Sequence, residues 1–176
     1  MGMTTSRVAL LGPGKMGAPM GHQLIAAGHQ LTVWARREAS AAALTAEGAV
    51  FEATPRIIGQ TCDVIIDMLQ DLTQLAPLLD GPDGLLAGIE TPTVLVVSST
   101  VAPGDVRELA RRVAVATEDL LQVVDAPVSG GEAGAKAGTL SIMVGGDDEP
   151  AAKAIEVLKA CGTPVHCGPL GAGEVV

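Results

Sequence analysis

Three glycines carry the first chemistry in this sequence: Gly12, Gly14 and Gly17 follow the apolar run Val8 to Leu11 in the pattern G-x-G-x-x-G. At this spacing the first glycine permits a tight turn and the second lets backbone approach a pyrophosphate. The third lets the next helix pack close to the strand. The helix N-terminus supplies free N–H groups and a partial positive charge. Lys15 and Met16 lie inside the turn and are counted with it as dinucleotide-binding residues. A second pattern is Ala35-Arg36-Arg37, which falls roughly 20 residues after the glycines. Folds that take NAD place an acidic residue there to bond the ribose 2′-hydroxyl. No carboxylate stands there, and two guanidinium groups are available to grip a 2′-phosphate through bidentate, charge-assisted hydrogen bonds. NADP is therefore expected in preference to NAD, with Arg36 as the contact and Arg37 stacking on adenine or assisting. Solvated arginines paired with Glu38 are the alternative.

A third pattern is Ser129-Gly130-Gly131. Its glycines leave backbone N–H groups unobstructed and its serine adds a hydroxyl, so the segment can form a nest for a carboxylate; the alternative is a glycine loop without a ligand. The cysteines point elsewhere. Cys62, Cys161 and Cys167 are odd in number and none forms a close pair, so neither disulfides nor a zinc site are expected. Cys161, His166 and Cys167 cluster in sequence without a fourth ligand, and the cysteines read as buried residues flanking a strand. His22, His29 and His166 carry no partner motif and read as structural.

These residues need a frame to hold them. After the strand Val8 to Leu11, apolar residues recur at helical spacing from Lys15 to Ala27 and Gly28 ends the helix. Strands are expected at Leu31 to Ala35, Ala49 to Glu52, Val64 to Met68, Thr93 to Ser98, Leu121 to Asp125, Thr139 to Val144 and Pro164 to Cys167. Between them helices are expected over Glu38 to Glu47, from Thr54-Pro55 with a hydroxyl cap, from Pro103 to about Val115, and from an Asp148 cap to Ala160. Asp80 to Pro92 reads as a surface loop, as does the glycine-rich stretch through Gly138. Strands alternating with helices imply an α/β fold of Rossmann type, a doubly wound, mostly parallel sheet with helices on both faces and its ligands at the carboxyl ends of the strands. Met68 and Leu69, and Ser99 and Thr100, fall at two such ends. Core packing for Met68 and helix capping for Thr100 are the alternatives.

Composition narrows the partners. The net charge of −9 repels phosphate backbones and anionic lipid, and one Phe, one Trp and no Tyr leave no stacking platform for single-stranded nucleic acid. Runs such as Val94 to Val97 are far shorter than a membrane span, and Met1 to Arg7 lacks the apolar stretch of a signal peptide, so the chain reads as cytoplasmic. At 176 residues it is long enough for one well-buried domain.

Leu11-Gly12-Pro13-Gly14-Lys15-Met16-Gly17-Ala18-Pro19-Met20 resembles the β-hydroxyacid dehydrogenase family, of which 3-hydroxyisobutyrate dehydrogenase and tartronate semialdehyde reductase are members. Asp125-Ala126-Pro127-Val128-Ser129-Gly130-Gly131, continuing through Gly134, Ala135, Gly138, Thr139 and Leu140 to Met143-Val144-Gly145-Gly146, is similar to that family's substrate-binding segment. The resemblance covers essentially the whole chain. It implies that Ser129, Gly130 and Gly131 hold the substrate carboxylate beside the nicotinamide, that Met68 and Leu69 lie against the cofactor's ribose and phosphate region, and that Thr100 lies against the nicotinamide ribose. It also implies a boundary: residues 1–168 form the dinucleotide-binding domain and 169–176 start a truncated interdomain helix, with Glu174 where relatives often have Gln. The lysine that serves as general acid or base would then lie beyond Val176, followed by an asparagine one turn on. The all-helical domain that closes the cleft and makes the contacts of a homo-oligomer would be absent too.

Two readings follow. One is an oxidoreductase moving a hydride between NADP and a small β-hydroxyacid, of which this chain is the part that binds coenzyme and turns over little alone. The other is a non-catalytic NADP(H)-binding module. Imine reduction on a related architecture fits less well with an acid-binding Ser129-Gly130-Gly131 segment.

Overall fold

A computed structural model describes residues 4–175. Met1–Met3, within the stretch read for a signal peptide, and Val176, at the end expected to fray, lie outside the described residues. In chain order the elements are β1 (Arg7–Leu11), α1 (Gly17–Ala26), β2 (Gln30–Trp34), a 3-10 turn (Glu38–Ala41), α2 (Ala42–Thr45), β3 (Val50–Phe51), α3 (Pro55–Thr61) and β4 (Val64–Asp67). Then come α4 (Leu72–Leu79), α5 (Leu85–Gly88), β5 (Thr93–Val97), α6 (Pro103–Ala116), β6 (Leu121–Asp125), β7 (Val128–Ser129), α7 (Gly131–Ala137), β8 (Leu140–Gly145), α8 (Asp148–Leu158), β9 (Gly162–Gly168) and a closing 3-10 turn (Gly173–Val175).

The strands form one sheet in the order β3-β2-β1-β4-β5-β6-β8-β7, with β9 pairing on β8. From β3 to β6 every pairing is parallel; β8 runs antiparallel to β6 and β7, and parallel to β9. This is the doubly wound, mostly parallel α/β architecture expected. Alternation along β1 sends Val8 and Leu10 into one core layer and Ala9 and Leu11 into the other. β4 and β5 are buried along their whole length, as strands covered by helices on both faces must be. Strand order reverses direction between β1 and β4. The crevice beyond the carboxyl ends of such a pair is where open α/β sheets take their ligands.

Several elements depart from the sequence reading, each for a local reason. The helix expected over Glu38 to Glu47 is a 3-10 turn followed by a single α-turn, α2. Thr54 precedes α3 but its hydroxyl makes no cap bond; its own N–H donates to the Glu52 carboxylate at 3.0 Å. Asp148 is the first residue of α8, not its cap, and Asp147 before it makes no side-chain cap bond either. α4 was not expected at all. Asp71 starts it, accepting from the N–H of Thr73 at 2.9 Å and of Gln74 at 3.2 Å, and Pro77 inside it obscured the helical pattern. The Asp80 to Pro92 loop contains α5. The glycine-rich stretch after β6 folds as β7 and α7, the latter ended by Gly138 in the left-handed conformation.

Candidate functional site

The glycine turn sits on the strand-order reversal. Gly12 adopts φ +94°, and a Cβ there would lie 3.1 Å from Leu69 Cδ2 and 3.2 Å from the Met68 carbonyl oxygen, so the turn after β1 rests directly on the turn after β4. A Cβ on Gly17 would lie 2.1 Å from the carbonyl oxygen of Gly12, so only glycine lets α1 start this close to the turn. Gly14 differs: a Cβ there meets no protein atom within 4 Å. Its lack of a side chain is not required by the packing of the chain. At the head of α1, Met16 supplies no side-chain cap and the first turn holds no acidic residue. The Ala18 N–H donates to the Gly14 carbonyl at 3.0 Å, and the N–H groups ahead of it are left without a side-chain cap, as an anion site needs.

Beside this turn opens a cleft of about 520 Å³, lined by Gly12, Pro13, Gly14, Trp34, Ala35, Arg36, Arg37, Ser40, Leu69 and Gln74. It brings the glycine turn, the end of β2 and the end of β4 together. Arg36 and Arg37 are exposed, and neither forms an ion pair with Glu38 or with any other described residue. The lining contains no carboxylate. Trp34, Ser40 and Gln74 were not singled out in the sequence. Trp34 is placed by an indole N–H bond to the Ala53 carbonyl at 3.3 Å, and Gln74 arrives on the unforeseen α4. Met68 is half-buried and packs on the core layer that holds Leu10 and Met20, whereas Leu69 lines the cleft. Lys15 is exposed; Met16 is half-buried against that same core layer.

Residues 7–168 match the model of the NAD binding domain of 6-phosphogluconate dehydrogenase. The chain belongs to that family. The NAD-dependent L-serine dehydrogenase of Pseudomonas aeruginosa is 42% identical over 170 residues, which is 96% of this chain and 56% of the relative. The 3-hydroxyisobutyrate dehydrogenase of the same organism is 40% identical over 170 residues, again 96% of this chain and 56% of the relative. The solved structure of Mycobacterium tuberculosis 3-hydroxyisobutyrate dehydrogenase with L-serine superposes with a TM-score of 0.86 at 34% identity, covering 98% of this chain and 57% of that one. The chain thus spans little more than half the length of these relatives. It corresponds to the N-terminal NAD-binding domain of the β-hydroxyacid dehydrogenases.

In this NAD-binding domain the second candidate group follows β6. Ser129 closes β7, paired with Ser141 on β8, and Gly130 and Gly131 take φ of +135° and +63°. All three are exposed. A Cβ on Gly130 would come within 3.1 Å of Leu140 Cδ2, while Gly131 has open space around it. Thr100, beyond β5, is exposed and does not cap α6, whose cap residue is Ala102. Ser98 and Ser99 before it are buried, and their hydroxyls lack partners among the described residues.

Three carboxyls lie near the strand ends, of which the sequence reading names Asp125 and Glu174 without a role and passes over Asp67. Asp125, the last residue of β6, is fully buried; it accepts from the N–H of Gly171 at 2.7 Å and of Glu174 at 3.1 Å. Glu174 in turn accepts from the Val101 N–H at 3.2 Å, and burial pushes its carboxyl up to about 7, with Asp125 adding to the rise. The segment after β9 is therefore clasped to the turns after β5 and β6. Asp67, the last residue of β4, is also fully buried, and burial raises it to about 7 against the opposing hydrogen bond from Leu69. Asp67 reads in the sequence as an apolar strand interrupted by an acid, which left it without a signal, while Asp125 and Glu174 stand in family-like segments that do not tell of the bonds they accept and make.

The cysteines and histidines do not converge, and Cys167, expected to be buried beside the strand, lies half-buried within β9. Cys161 is buried, its thiol pushed up to about 12 by that burial, with Sγ facing the Met20 carbonyl at 3.7 Å. His22 Nδ1 lies 2.8 Å from Glu47, His29 Nδ1 accepts from the Ser6 N–H at 3.1 Å, and His166 Nε2 lies 2.8 Å from the Gly146 carbonyl oxygen. Among the described residues no group of three His, Cys, Asp or Glu is placed to hold a metal ion, and no helix is long and apolar enough to cross a membrane.

Proposed function

We propose that this chain is the coenzyme-binding part of an oxidoreductase that transfers a hydride between NADP and a small β-hydroxyacid of the 3-hydroxyisobutyrate or tartronate semialdehyde type. The observation that carries the reading is the cleft shared by the glycine turn and the paired arginines, with no carboxylate in its lining. The open space at Gly14 and the uncapped head of α1 suit a pyrophosphate, held by Gly12, Gly14, Lys15, Met16 and Gly17. Arg36 grips the 2′-phosphate and Arg37 stacks on adenine or assists. The 42% identical relative is named for NAD, so the choice of coenzyme rests on this chain's own residues after β2. Leu69 and Met68 wall the ribose and phosphate region, and Thr100 lies toward the nicotinamide ribose.

Ser129, Gly130 and Gly131 hold the substrate carboxylate, which the exposure of all three and the positive φ of the two glycines support. When bound, the nicotinamide accepts or donates the hydride. The chain's own residues bind, orient and keep the acid against that ring. No residue described here is assigned the proton transfer; the resemblance puts it on a lysine after position 176. Residues 1–168 make up the coenzyme domain and 169–176 lead toward the second domain, in a cytoplasmic homo-oligomer.

The test is hydride transfer by the full-length gene product, followed by nicotinamide absorbance, across a panel of small β-hydroxyacids with NADP. Ser129→Ala is expected to raise KM by roughly tenfold for the preferred acid, the equivalent of one hydrogen bond to a charged group. Turnover on none of the acids, by a folded protein that binds coenzyme, refutes the substrate assignment.

A further inference from the structure

Asp67 has an arrangement that packing alone does not require. It is 0% exposed at the end of β4, in register with Leu11 on β1 and Val97 on β5, one residue from the turn that Gly12 rests upon. Oδ1 accepts from the Leu69 N–H at 3.0 Å, and Leu69 lines the coenzyme cleft and meets Gly12. Oδ2 is buried without any hydrogen-bond partner among the described residues. A carboxylate left this way is far less stable than a carboxylic acid, because the charge has neither water nor a donor on its second oxygen.

The charges around it do not help. Asp71, at the cap of α4, raises Asp67 further, and is itself held low by the Thr73 hydroxyl. On the β5 side the register partner is Val97, and Asp125 lies one strand beyond, its oxygens already occupied by backbone N–H groups. On the β1 side it meets Leu11. No cation among the described residues acts on it.

We propose that Asp67 is a positioning residue that fixes the Leu69 wall of the cleft, and that its free oxygen takes up a proton from solvent when a nicotinamide dinucleotide binds. This rests on the reading of the glycine turn as the pyrophosphate site. A pyrophosphate seated at that turn brings negative charge to the far side of Gly12 from Asp67. That charge favours the neutral form, and linkage then requires neutral Asp67 to favour the coenzyme. The bond from Leu69 N–H to Oδ1 survives protonation at Oδ2, so the wall keeps its place while the charge disappears.

The experiment is calorimetric titration of the chain with NADH, which has no 2′-phosphate of its own to titrate, in two buffers of different ionisation heat. Between about pH 6 and about pH 8 the affinity is expected to fall roughly five- to tenfold, with net proton uptake on binding near neutrality. Asp67→Asn, which keeps the oxygen that accepts from Leu69, is expected to flatten the profile and abolish the uptake. Glu174→Gln removes the other raised carboxyl and is expected to keep both effects; should Asp67→Asn fail to fold, uptake by Glu174→Gln decides the matter. Coenzyme binding with a flat profile and no uptake overturns the proposal, as does a pH dependence that survives in Asp67→Asn. No binding at either pH by a folded chain overturns instead the reading of the cleft.

Discussion

Gly14 and Gly17 look alike in the sequence and differ in the structure, which makes them a matched pair. A methyl at Gly17 would strike the Gly12 carbonyl oxygen, and at Gly14 it would meet no protein atom. Gly17→Ala is accordingly expected to destabilise the chain by about 2–4 kcal/mol, read by denaturant unfolding. Gly14→Ala is expected to leave stability within about 1 kcal/mol and to weaken coenzyme binding at least tenfold, since the methyl occupies space meant for ligand. Equal effects of both on stability contradict this division. Arg36 is the next residue to test: without a protein partner, its removal should leave folding intact. Arg36→Ala is expected to cost NADPH affinity roughly ten- to a hundredfold, and NADH affinity little. At this scale the glycine pattern was legible, because its spacing after a strand ties it to the turn that the structure shows, and the place of Arg36 and Arg37 beside that turn follows from the end of β2. Asp67 was illegible, and so were the bonds of Asp125 and Glu174, for the opposite reason: what matters in each is a partner far away in the chain, or the lack of one.

Among the elements, the strands that hold the site were readable and the short helices around it were not. Val64 to Val97 illustrates this. The two strands are runs of aliphatics with no polar face, recognisable as buried parallel strands, whereas α4 is short and interrupted by Pro77. α7 hid among four glycines, although Glu132 and Lys136, 3.0 Å apart at i and i+4 before Gly138, are a helical signal. The clasp at the end of β6 belongs to this scale as well. Asp125 ties down the segment from Gly171 to Glu174, and Arg107 adds a bond to the Leu170 carbonyl at 3.0 Å. Asp125→Ala leaves two backbone donors unsatisfied and is expected to destabilise by about 2–4 kcal/mol, with faster hydrogen exchange at Gly171 and Glu174. Unchanged exchange at those two amides contradicts the clasp.

Over the whole molecule, charge and burial combine into a pH dependence. Burial holds Asp67 and Glu174 at about 7, so near pH 6 the folded chain binds protons that the unfolded chain has released. Their contribution to stability is complete below the ordinary carboxyl values, roughly pH 4, and is lost as pH rises through about 7. The net charge of −9 adds self-repulsion of the same sign. Melting temperature is expected to fall between about pH 5 and about pH 8, and Asp67→Asn combined with Glu174→Gln to remove most of that fall. A melting temperature that climbs over this range contradicts the assignment. An acidic molecule that takes a dinucleotide needs a local arrangement of donors and positive charge, which the proposal puts on the N–H groups of the glycine turn and the guanidinium groups of Arg36 and Arg37. Calorimetric titration of the chain with NADPH and with NADH tests that arrangement most directly. Binding of both, with NADPH tighter by roughly ten- to a hundredfold, is the predicted result; equal affinities, or no heat with either coenzyme in a folded sample, would contradict it.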